Sequence, residues 1–165
     1  MGKAFPERLK LQIIAKFPGL ASDARFDITS PIDSRYNCIS WAMRYIDRWT
    51  QPHTGNLLID GVTWWPPGAK EGWNISCLID AFIQEGFEVC ESDRFEDQYL
   101  KVALYYDPKN HNKWTHAARQ LRSGVWASKL GQSFDIEHGS PYTIEGDVYG
   151  KVYCIMRTPF YSSKK

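Results

Sequence analysis

The spacing of apolar positions changes once along the chain. In the first half it is helical. Leu9, Leu11, Ile13, Ile14 and Phe17 predict a first helix over residues 6–16, which Pro18-Gly19 ends. Residues 18–35 carry Pro, Gly, Asp and Ser and read as an ordered loop. Cys38, Trp41, Ala42, Tyr45 and Trp49 then form one apolar stripe, predicting an amphipathic helix from Cys38 to about Trp49. Asp33, Ser34 and Asn37 are its candidate N-caps, and Gln51-Pro52-His53-Thr54-Gly55 stops it. In Val62-Thr63-Trp64-Trp65-Pro66-Pro67-Gly68 the two prolines forbid a helix or a central strand. A further helix is expected over about Ser76–Gln84, with Ile75, Leu78, Ile79 and Phe82 on one face and Gly86 as its stop.

From residue 87 the period falls to two. Phe87–Cys90, Lys101–Tyr106, Thr115–Leu121, Val125–Leu130 and Gly150–Arg157 alternate as strands do. Arg122-Ser123-Gly124 joins two of them as a three-residue hairpin loop. With that loop Leu121 pairs with Val125, and His116, Ala118 and Gln120 share a face with Trp126, Ser128 and Leu130. Ser128 becomes a diagonal neighbour of His116, whereas a two-residue loop would bring Lys129 to that face. Helices followed by antiparallel strands predict an α+β fold in a single domain over 1–165, with a frayed tail from about residue 160.

Composition narrows the function classes. The chain has 165 residues, enough for one real core, and a formal net charge of +1, which offers nucleic acid no basic footprint. No apolar run approaches the roughly 18 residues that a membrane helix needs, and the first residues lack the apolar centre of a signal peptide. A cytoplasmic protein without a membrane or nucleic-acid partner is therefore expected. Its four cysteines, Cys38, Cys77, Cys90 and Cys154, have no metal-ligand spacing and read as reduced thiols. No metal and no cofactor are expected.

Cys38 carries the sharpest chemistry. In the first turn of a helix a thiol meets unpaired N–H groups, which lower its pKa and favour the nucleophilic thiolate; the alternative is a small buried hydrophobe. A base must reach it, and a third polar group must orient the base. Of His53, His111, His116 and His138, only His116 opens a strand among small neighbours, Thr115-His116-Ala117-Ala118. Ser128, Asp135 and His138 compete for the orienting role. Tyr36 or Asn37 is the candidate partner for an oxyanion. Trp41, Trp64 and Trp65 either pack the core or wall a cleft. Lys129 reads as a solvated charge or, in the other register, as part of the site, and Asp135-Ile136-Glu137-His138 as an exposed connecting strand.

A helix-borne cysteine, then a strand-opening histidine, then a hairpin partner with a third polar residue resembles the papain-like fold in its NlpC/P60-type variant. His116, Ser123-Gly124 and Ser128 fall at matching places, and Tyr36 matches a tyrosine frequent just before that cysteine. Ser128 departs from the His, Asn or Gln usual at the third position. The resemblance implies N-terminal helices packed on an antiparallel sheet and a cysteine peptidase or amidase acting on a peptide or protein; its alternative is an inactive papain-like domain that binds a protein or peptide. Asn-Cys-Ile-Ser-Trp-Ala, Trp-Trp-Pro-Pro, Thr-His-Ala-Ala-Arg-Gln-Leu, Trp-Ala-Ser-Lys-Leu-Gly and Asp-Ile-Glu-His also resemble an uncharacterised bacterial domain family.

Overall fold

In the computed structural model, residues 5–30, 35–52, 63–130 and 134–160 are described. Asp33, Ser34 and His53 lie outside them. Helix α1, Glu7–Lys16, matches the expected span, and a 3-10 turn, Pro18–Ser22, follows where the Pro-Gly signal stands. The expected loop then contains a strand, β1, Asp27–Ser30. Four residues are too few for alternation to declare a strand; pairing along a distant edge supplies the missing hydrogen bonds.

Helix α2 spans only Cys38–Ala42, well short of Trp49. Asn37 is its N-cap: the amide oxygen accepts Ser40 N–H at 3.0 Å. The same side chain reaches Thr50, donating to its carbonyl at 2.9 Å and accepting its N–H at 3.2 Å, while the Ser40 and Thr50 hydroxyls meet at 2.7 Å. Thr50 can reach back this far only if the chain leaves the helix early. It does so at Arg44, whose φ of 74° is left-handed. Strand β2, Trp49–Thr50, then pairs in parallel with β3, Thr63–Trp64.

Helix α3, Ile75–Gln84, is capped by Asn74 and ends before Gly86, whose φ is 96°. The remaining strands are β4 (Glu88–Cys90), β5 (Tyr99–Asp107), β6 (Lys113–Gln120), β7 (Trp126–Lys129), β8 (Asp135–His138) and β9 (Lys151–Pro159). With β1 they form one antiparallel seven-stranded sheet in the order β1-β8-β7-β6-β5-β9-β4. The fold is mixed α/β, with few helices and a mostly antiparallel sheet.

Both sheet faces are covered. On one, Ile39 and Ala42 of α2 and Leu78, Ala81 and Phe82 of α3 pack on Val102, Leu104, Ala117 and Met156. On the other, Ile13, Phe17 and Leu20 pack on Ala103, Tyr105, Ala118, Trp126 and Ile155. Each large buried side chain contributes about 1.5–3 kcal/mol. Trp65 belongs to the first core, where it stacks on Trp114, and Trp64 packs edge-on against Tyr45.

The β6–β7 turn has the expected register: Leu121 N–H meets the Val125 carbonyl at 2.8 Å, and Gln120 pairs with Trp126. The ladder stops after Arg119↔Ala127. Two irregularities cross the sheet centre at adjoining levels. The β5–β6 register shifts between Tyr105 and Tyr106, leaving Thr115 extra, and the β5–β9 register shifts between Leu104 and Tyr105, leaving Tyr153 extra.

Candidate functional site

The parting of β6 from β7 opens the middle of the sheet. Tyr105 is the ladder partner of His116, so His116 projects to the α1 side, while the next residue, Ala117, belongs to the α2 core. Cys38 packs in that α2 core, and the backbone N–H groups of Ala117, Ile39 and Cys38 itself face its sulfur. The cysteine and the histidine are thus brought to adjacent residues of one strand from opposite faces of the sheet. No hydrogen bond joins them: the His116 Nδ1 atom is buried without a partner.

The other His116 nitrogen, Nε2, lies 3.0 Å from Ser128 Oγ. Ser128 Oγ lies 2.8 Å from His138 Nε2, and His138 Nδ1 donates to the Ser140 carbonyl at 2.8 Å. His116, Ser128 and His138 are all buried. Burial pushes the His116 imidazole well below its ordinary range, and nearby His138 adds to this. Burial also lowers His138, against the opposing pull of the Ser140 carbonyl and of Asp23. Tyr149 covers His116, with ring centroids 3.9 Å apart and planes 6° from parallel.

Around Cys38 the expected electrostatics are reversed. Its thiol is pushed up to about 11, not down. Burial is the main cause and outweighs the three N–H groups and the attractive charge of Lys129. Lys129 is not a solvated charge; it is completely buried. Its Nζ sits 4.9 Å from the centre of the Tyr36 ring and has no hydrogen-bond partner. The sheet is covered on both faces here, so a strand residue opposite the Ser128 face is inside as well.

The other expected residues separate. Asp135 does not join the histidines; its carboxylate accepts the Ser30 hydroxyl at 2.7 Å. The Asp135–His138 segment is not an exposed connector, since Ile136 and His138 are both buried in the sheet. Asn37 is tied to the start of the helix: its amide oxygen accepts from the Ser40 and Thr50 N–H groups and its Nδ2 donates to the Thr50 carbonyl. Trp41 lies under the Arg119 guanidinium at 4.0 Å, and Arg119 Nη1 donates to the Trp41 carbonyl at 2.9 Å. Trp65 donates from its indole to the Lys70 carbonyl at 3.1 Å and is core. Trp64 lies under Arg48 beside Tyr45.

Tyr149 was not expected at the site. Its only sequence signal is an aromatic residue inside a turn bounded by Gly146 and Gly150, which bridge to each other. A cavity of about 240 Å3, lined by Leu9, Ile13, Phe17, Leu130, Val148 and Tyr149 among others, shares that tyrosine with the cluster. Among the described residues no group of three or more His, Cys, Asp or Glu is placed to hold a metal ion, and no helix is long and apolar enough to cross a membrane.

The fold and site define a mixed α/β domain whose sheet opens around a buried thiol and two linked histidines. The chain belongs to the family described as Domain of unknown function (DUF7689), whose model matches residues 27–157. No curated protein and no solved structure matches the chain.

Proposed function

We propose that the chain is a cysteine hydrolase that cleaves an amide or isopeptide bond, on a papain-like fold of NlpC/P60 type. The observation that carries this reading is two buried atoms without partners: Lys129 Nζ, whose charge acts on Cys38, and His116 Nδ1, on the residue next to Ala117, whose N–H faces the sulfur. Leaving such groups unsatisfied costs about 1–3 kcal/mol each, more for a charge, and native structures contain few of them. A base with an open lone pair and a buried cation without a hydrogen-bonded partner are what a thiolate requires. The connectivity, a cysteine helix followed by antiparallel strands, supports the papain-like reading.

On this reading Cys38 gives its proton to His116 Nδ1, and the sulfur bonds to the substrate carbonyl carbon. The imidazolium returns that proton to the leaving amine as the C–N bond breaks. Water then adds to the thioester with His116 as base, which releases the carboxylic acid and restores the thiol. The charge of Lys129 and the N–H groups at the sulfur favour the anionic species. Sulfur and ring come from opposite faces of the sheet and are not hydrogen-bonded at rest, so the reading requires their approach through the gap where β6 leaves β7.

The test is hydrolysis of a panel of peptide and isopeptide amides, with mass spectrometry of the acyl-enzyme. Turnover and an acyl adduct on Cys38 are expected, and both vanish in Cys38→Ala and His116→Ala. Turnover that persists in Cys38→Ala rejects the assignment.

One observation favours a second reading, a papain-like domain that binds a peptide without cutting it: the Cys38 thiol is buried and held up at about 11. Peptide-derived electrophiles separate the two. Selective capture by Cys38 belongs to the enzyme, and no preference among the four cysteines belongs to the binding module.

A further inference from the structure

We infer, relying on the hydrolase reading for its catalytic use, that His138 is a positioning residue that fixes where the proton sits on His116. It holds His116 as the Nε2–H tautomer and leaves Nδ1 bare.

The proton order follows link by link. The Ser140 carbonyl can only accept, so His138 Nδ1, 2.8 Å away, carries hydrogen. A buried neutral imidazole has one ring hydrogen, so His138 Nε2 is a lone pair. Ser128 has a single hydroxyl hydrogen, and Oγ donates it to that lone pair across 2.8 Å. Oγ must then accept on its other side, where His116 Nε2 lies at 3.0 Å, so His116 Nε2 carries hydrogen. His116 is neutral too, and its remaining nitrogen, Nδ1, is therefore the basic one. That is the atom without a partner.

Two consequences follow for the reaction. The open lone pair of His116 is on the nitrogen not engaged by Ser128, which leaves it available to a thiol proton. The chain also ends on a carbonyl, which cannot take a proton onward. A proton gained at Nδ1 has no exit through Ser128 and His138, and it must return by the same atom to the leaving amine.

The experiment is long-range 1H–15N spectroscopy of the labelled full chain, with the four histidines assigned by single replacements. Native His116 is expected to show a pyrrole-type Nε2 and a pyridine-type Nδ1. His138→Phe keeps a ring in place and removes the acceptor for Ser128. The hydroxyl then turns to donate to His116 Nε2, and the two His116 nitrogen signals exchange types. His138→Gln supplies an amide oxygen to accept the Ser128 hydroxyl and restores the native pattern. Hydrolysis falls by about 10^4-fold in His138→Phe, the cost known for a catalytic histidine held in the wrong tautomer, and recovers in His138→Gln.

A native His116 with pyridine-type Nε2 overturns the inference, as does an unchanged pattern in folded His138→Phe. If that variant does not fold, Ser128→Ala replaces it, and averaged His116 nitrogen signals are expected; a retained fixed tautomer overturns the inference. The spectra need no substrate, so they can fail or succeed independently of the Cys38→Ala test.

Discussion

Replacing Lys129 by Met should make the protein more stable and its Cys38 less reactive. The Lys129 side chain has no exposure, and its Nζ has no hydrogen-bond partner. Burying an ion costs several kcal/mol even after relaxation. The described compensation is the Tyr36 ring at 4.9 Å, a cation–π contact that returns about 2 kcal/mol when desolvated. Met has similar length and no charge, so the exchange should gain about 1–3 kcal/mol. For a chain of this size each ~1 kcal/mol moves the melting temperature by about 2–4 °C. Thermal melting with circular dichroism measures the first effect. The second is read as the alkylation rate of Cys38 at pH 8, which should fall because the charge that draws the thiol downward is gone. Lys101→Met is the control. Lys101 is equally deep but donates to the Ser92 carbonyl at 2.7 Å and pairs with Glu96 at 3.0 Å, so its loss should lower stability. A Lys129→Met protein that melts lower, or a Cys38 that reacts as before, refutes the assignment of Lys129 as a stability cost retained for the thiol.

Acid should destabilise the fold through its two linked histidines. Both are held below their ordinary value of 6.5, so their contribution is complete above pH 6.5 and is lost as the pH falls below it; each adds at most about 1.36 kcal/mol per pH unit, and His138→Gln should roughly halve the slope of a denaturant series from pH 7 to 5. Gly150→Ala should cost at least about 1–3 kcal/mol in urea unfolding, because Gly150 has a φ of 73° and a Cβ there would run into the Tyr106 carbonyl; Gly146→Ala, where a Cβ meets nothing within 4 Å, should cost less. Asn37→Ala should lose about 1–2 kcal/mol from the cap and further stability from the Thr50 backbone it leaves unpaired. A two-state urea titration checks it, and native stability would disprove the anchoring role.

The parts of the fold legible in the sequence are those governed by local period and turn chemistry. Leu121 and Val125 pair as the Gly-bearing loop predicts, and Ser128 reaches His116 from the diagonal position. Both features need only strand parity and a loop length. What was hidden depends on contacts distant along the chain. The stripe Cys38–Trp49 continues past the real end of α2, because Asn37 and Ser40 bind Thr50 and the chain turns away at Arg44. Lys129 reads as surface because alternation marks one face as apolar but cannot reveal a second layer on the other. His138 could be named as an orienting residue, but not ordered behind Ser128, since its place depends on how β8 docks against β7.

The unmatched residues Thr115 and Tyr153 divide the central ladder into two lengths whose alignments are set separately. His116 and Ser128 lie on the length anchored by the tight bend at residues 121–125, whereas Trp114 lies on the other. A slip near Asp107 or Lys113 in the β5–β6 pairing can therefore be absorbed at Thr115 before it reaches His116, and the polar thread through the open middle of the sheet is insulated from changes at that rim.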